Sequence, residues 1–108
     1  MSKRLAFLEQ LTASGKADSF AWYGLAMEYR SLQRFDDALR TFETLREKDP
    51  GYVAQYLMAA QMLSSLDRGD EAREWAQQGL DRAREKRDSH ALNELEVFMN
   101  ELKQGALR

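Results

Sequence analysis

The chain has no cysteine, one proline and one histidine among its 108 residues. Without cysteine there can be no disulfide, no thiol nucleophile and no thiolate metal site. A lone histidine cannot build a metal centre, because such centres need several converging ligands. No metal is therefore expected, and His90, near a helix start, reads as a surface residue. An excess of charge of one sign is also missing: sixteen Lys and Arg face eighteen Asp and Glu, a net charge of -2. That balance is poor equipment for holding a polyphosphate, so no nucleic-acid partner is expected. Long apolar runs are absent too. The start from Met1 to Leu8 is basic and then apolar, but Glu9 interrupts it before it reaches the length of a secretory signal. No stretch approaches a membrane-spanning length, so no membrane association is expected and cytoplasmic residence is the default.

Catalytic signatures are missing in the same way. No Gly-rich phosphate loop, G-x-S-x-G or H-E-x-x-H pattern occurs. The paired carboxylates Asp36-Asp37 and Asp70-Glu71 fall at helix starts, where the helix dipole favours negative charge. Glu94 and Glu101 belong to a solvated face. Arg82, Arg84, Lys86 and Arg87 form the only basic concentration; Asp81, Glu85 and Asp88 interleave with it near a helix end, where cations are favoured. An acidic partner or RNA docking there is the alternative. Nothing points to a titratable pair tuned for acid–base work, and the chain is expected to be neither an enzyme nor the holder of a cofactor.

What is present is helix-forming sequence. Hydrophobic residues make up 44% and charged residues 31%, a globular balance. The length suits one small domain. With abundant Ala, Leu, Glu, Arg and Gln and few breakers, long helices are expected; no alternating β-branched run predicts a sheet. Six helices can be read. The first spans about 2–13, with Leu5, Leu8 and Leu11 on one stripe and Ser14-Gly15 as its stop. The second, capped by Asp18 or Ser19, spans about 19–32 and carries Trp22, Leu25, Ala26 and Tyr29 at helical spacing. The third spans about 35–48, with Ala38, Phe42 and Leu45 on its stripe and Asp49-Pro50-Gly51 as its stop. Two more follow around the turn Asp67-Arg68-Gly69-Asp70, the second running from about Glu71 to Lys86. The last spans about 90–103.

Within the window from Ser19 to Tyr52, Trp22, Leu25, Ala26, Tyr29, Ala38, Phe42 and Pro50 occupy spaced positions over a period of 34 residues. A second window, Val53 to Lys86, repeats it more weakly: Tyr56 replaces Trp22, Ala60 and Ala72 keep the two alanines, and Gly79 stands where Leu45 was. In this pattern the segment resembles a tetratricopeptide repeat. The resemblance implies an all-α fold, a right-handed stack of antiparallel helix pairs of the α-solenoid type. The whole, 1–108, would be one such domain: a leading helix (2–18), repeat one (19–52), repeat two (53–86) and a capping helix (87–108). Ala26 and Ala38 would sit at the crossing of the first pair, Ala60 and Ala72 at that of the second.

The resemblance also names a class of function, non-catalytic protein–protein interaction, the role of an adaptor or scaffold. Its groove-facing positions, carried onto this chain, include Phe20, Tyr23, Met27 and Arg30 in the first repeat and Leu57 and Gln61 in the second, with Met58 beside them. These are the expected contacts to a protein or peptide partner. A subset of the family grips terminal carboxylates with Lys and Asn. Here Tyr23, Met27 and Met58 stand at those places, so no carboxylate clamp is expected. Two alternatives stay open. One is a self-assembly module whose apolar face builds a homodimer or longer array. The other is the accessory domain of an enzyme complex. Phe20, Tyr23, Met27 and Leu57 could equally be core, covered by the chain's own last helix or by a second copy.

Overall fold

The computed structural model describes residues 2–105. Residues 106–108 of the expected capping segment, and Met1, lie outside the described residues. Six α-helices follow in order: α1 (Lys3–Ala13), α2 (Ser19–Ser31), α3 (Phe35–Lys48), α4 (Ala54–Ser65), α5 (Gly69–Lys86) and α6 (Ser89–Lys103). No strand occurs among the described residues. The fold is all-α, six helices packed pairwise in the repeat arrangement that the resemblance implies. The chain divides into two compact units, Met1–Pro50 and Gly51–Arg108.

In the first unit, α2 packs against α1 and α3. The starts of α1 and α2 are capped by side chains. The Ser2 hydroxyl accepts from the Leu5 N–H, and Asp18 Oδ1 accepts from the Ala21 N–H, satisfying donors that a helix N-terminus leaves open. The apolar stripe then does the packing: Leu25, Ala26, Ala38, Phe42 and Leu45 are buried. Ala26 and Ala38 are fully covered, as close backbone approach requires. Polar ties close the unit's edges. The Tyr29 hydroxyl donates to Glu9 of α1 at 2.5 Å. Ser2 donates to Glu28 at 2.8 Å, and Ser19 donates to Asp49 at 2.6 Å, fastening the start of α2 to the end of α3. Trp22 is only half-buried, with the Lys48 ammonium 5.4 Å from its ring centre.

In the second unit, α5 packs against both α4 and α6. Ala59, Ala60, Ala72, Ala76 and Ala83 are fully covered, and Tyr56, Leu63 and Leu95 fill the space around them. Trp75 is buried, its ring centre 6.0 Å from that of Tyr56. Ala76 stands 34 residues after Phe42, the large residue of the first window; in the second the bulk lies one place earlier on α5, at Trp75. Gly79 completes the exchange. A Cβ there would lie 2.6 Å from the Cβ of Tyr56, so the bulk of Tyr56 is seated on a residue with no side chain.

The turns repeat as well. Gln33, Asp67 and Arg87 each adopt a left-handed conformation, with φ of 61°, 61° and 55°. Each follows a helix end in a Schellman motif. The N–H groups of Gln33 and Arg34 donate to the carbonyls of Arg30 and Tyr29, and those of Asp67 and Arg68 to Ser64 and Leu63. The N–H groups of Arg87 and Asp88 donate likewise to Arg84 and Ala83. The arginine after the first two turns then clasps the next helix. Arg34 Nε donates to Asp37 at 2.9 Å, and Arg68 Nε donates to Glu71 at 2.7 Å.

Candidate functional site

On α2, the helical spacing of Phe20, Tyr23, Met27 and Arg30 puts them on neighbouring positions of one face. Phe20 is 69% exposed. Tyr23, Met27 and Arg30 are half-buried. None is fully enclosed in the core, unlike Leu25 and Ala26 on the adjoining face. Leu57, Met58 and Gln61 on α4 are half-buried in the same way, while Tyr56, Ala59 and Ala60 beside them are buried. A cation sits on the α2 face in Arg30, and no charged residue occurs among the three on α4.

Within the second unit, Leu57 and Gln61 line an open cleft of ≈ 300 Å³ against α6. The cleft exists because α6 lies along α5 and only grazes α4. Its other wall is one face of α6: His90, Asn93, Glu94, Val97, Phe98 and Glu101. Those positions recur at intervals of three and four, the signature of a single helical face. Val97 is 52% exposed, whereas Phe98 is buried and forms part of the floor. His90 Nε2 lies 3.3 Å from Glu94 Oε1. Met58 is not among the lining residues of this cleft. In the sequence this α6 wall reads as a solvated face at Glu94 and Glu101 and as an apolar place at Phe98. The i, i+3, i+4 run from His90 to Glu101 marks the face, but nothing in it says which neighbour stands away from it.

The one large displacement of a titrating group is structural: burial, then the hydrogen bond and charge of Glu9, push the Tyr29 hydroxyl up to about 12. The Arg68 hydrogen bond holds the Glu71 carboxyl below the usual range, with the Arg68 charge adding to it. Neither group lies in the cleft. Two cations of the basic stretch are paired along α5, Arg82 with Glu85 at 3.0 Å and Arg84 with Asp81 at 3.6 Å. Among the described residues no group of three His, Asp or Glu could hold a metal ion. Among them, too, no helix is long and apolar enough to cross a membrane.

Comparison with known proteins converges on one family. A tetratricopeptide repeat model matches residues 29–94. The crystal structure of a tetratricopeptide repeat domain protein from Salinibacter ruber is similar, with 35% identity and a TM-score of 0.74 over 80% of this chain and 97% of that one. A solution structure of a tetratricopeptide repeat domain protein from the same organism gives 34% identity and a TM-score of 0.77, covering 81% and 88%. The solution structure of a protein from Bordetella parapertussis gives 25% identity and a TM-score of 0.82, covering 97% and 91%. Among curated proteins none matches significantly.

Proposed function

The chain belongs to the tetratricopeptide repeat family, and from that premise we propose that it is a non-catalytic adaptor that binds a segment of a partner protein. Two repeats, 19–52 and 53–86, carry the binding faces between a leading and a capping helix. The contacts are Phe20, Tyr23, Met27 and Arg30 on α2, and Leu57, Met58 and Gln61 on α4. The observation that carries this reading is the state of those side chains. They are apolar or amphipathic, they stop short of full burial, and two of them line an open cleft. Tyr, Met and Arg are also enriched in protein interfaces. A partner segment lying along a helix face buries such residues without needing any reactive group.

Tyr23, Met27 and Met58 occupy the places where a carboxylate-gripping relative would carry Lys and Asn. The partner is therefore held by apolar contact and not by its terminus. A titration with a short acidic peptide, free or amidated at its C-terminus, should show no difference between the two forms. The wider reading is tested by affinity capture with the wild-type chain and with Leu57→Glu, helix content being checked by circular dichroism. A protein retained by wild type and lost by the variant supports the adaptor role; identical retention by both removes α4 from it.

A further inference from the structure

The cleft between α4 and α6 has a chemistry more specific than apolar contact. Its wall on α6 places Glu94 and Glu101 seven residues apart, two turns of helix, about 10 Å along the axis. Val97 lies between them on the same face and Phe98 closes the floor, with Leu57 and Gln61 opposite. No Lys or Arg lines the cleft, and the single residue there able to carry positive charge is His90, already beside Glu94. The cleft thus offers a short apolar strip, Leu57, Val97 and Phe98, with the carboxylates of Glu94 and Glu101 on its α6 rim and His90 one turn before Glu94. An acidic partner would be repelled by both carboxylates, whereas a basic one would be attracted by them, since no Lys or Arg of the lining competes for Glu101.

We propose that this cleft takes a basic segment of a partner protein, one that presents an apolar side chain between two Lys or Arg residues about 10 Å apart. A helix supplies that spacing with cations at i and i+7 and the apolar residue at i+3 or i+4. The apolar side chain packs on Leu57, Val97 and Phe98, and the cations meet Glu94 and Glu101. This rests on the adaptor reading and names the partner chemistry for its α4 side; it gives the cleft a selectivity by charge.

The test is isotope-edited NMR of the intact chain titrated with three short helical peptides: leucine flanked two turns apart by lysines, the same with glutamates, and the lysine peptide with alanine for leucine. The lysine–leucine peptide should shift the amides of Gln61, Glu94, Val97 and Glu101. Its affinity should fall about threefold to thirtyfold in Glu94→Gln/Glu101→Gln, the loss expected of two exposed ion pairs, and should fall with added salt. The alanine peptide should bind more weakly. If the glutamate peptide shifts the same amides as strongly, the charge selectivity is overturned while partner binding at α4 stands. If no peptide shifts any residue of α4 or α6, the cleft proposal and the α4 part of the adaptor reading fall together.

Discussion

Replacing glycine by alanine should have opposite effects at two buried positions of this chain. In the interior of a helix the exchange favours folding by about 1 kcal/mol, because alanine gives up less backbone freedom. At Gly24 the new methyl group would meet Arg4 Nη2 at 3.6 Å and the Leu8 methyls at 3.8 and 3.9 Å, all ordinary contacts. Gly24→Ala should therefore gain about 0.5–1 kcal/mol. At Gly79 the same methyl would lie 2.6 Å from Tyr56 Cβ and 3.1 and 3.2 Å from the Leu95 methyls. Carbon atoms settle at about 3.5–4.0 Å, so α4 and α5 must part by about 1 Å. Tyr56 cannot swing away, because the atom struck is its Cβ, fixed to the α4 backbone, and its ring is buried against Trp75. Overpacking of this kind costs about 1–3 kcal/mol, and a clash at the backbone belongs in the upper half of that range. After the helix gain, Gly79→Ala should lose about 1–2 kcal/mol. Urea denaturation followed by Trp75 fluorescence, in a Trp22→Phe background, reads the second unit directly. The midpoint should fall with the slope unchanged. A Gly79→Ala chain as stable as its parent, or both substitutions moving stability the same way, would refute the packing argument.

Three further outcomes follow from the same structure. Tyr29→Phe should cost about 1–2 kcal/mol at neutral pH, since it removes a hydrogen bond to a charged acceptor. The Tyr29 hydroxyl is raised from 10.0 to about 12 on folding. Its contribution is therefore complete below pH 10 and lost as pH climbs through 12, so melting curves of the two proteins should converge across that window. Gln33→Gly and Asp67→Gly should each stabilise by about 0.5 kcal/mol, since glycine relieves a left-handed backbone at some cost in unfolded-chain entropy; Gln33→Val should destabilise in the same denaturation assay. Finally, Arg68→Ala should return the Glu71 carboxyl to its ordinary titration range. Glu71 adds stability above that range and loses it as pH falls through the depressed folded value, so the variant should show a weaker acid dependence by NMR titration. Because both side chains are well exposed, the stability change itself should stay below about 1 kcal/mol.

The first repeat was open to reading because its residues do single, separable jobs. Asp49-Pro50 stops α3 where it must, and Ala26, Ala38 and Phe42 are buried at the places their spacing marks. The second repeat hides the same design behind an exchange of volumes. Tyr56 is seated on Gly79 and Trp75 takes the bulk expected at Ala76, so each position alone departs from the pattern while the helices still pack. A sequence read position by position does not see a compensation made across two helices. The turn at Asp67-Arg68-Gly69-Asp70 was legible in place but not in conformation: Gln33, Asp67 and Arg87 adopt a left-handed backbone normally announced by glycine. On the candidate site, the α2 and α4 residues follow from a family pattern, whereas Glu94 and Glu101 read as a solvated face and nothing in the sequence singles out Asn93 or Val97. Their role as a wall depends on α6 following α5 and standing off α4, which no local spacing encodes.

The central claim is that the part-exposed faces of α2 and α4 are kept for another protein and not for a second copy of this one. Light scattering coupled to size exclusion, on wild type and on Tyr23→Glu across a wide concentration range, tests it most directly. The account predicts a monomer mass for both proteins at every concentration. A wild-type dimer that Tyr23→Glu splits without loss of helix would contradict it, and would make the α2 face a self-association surface.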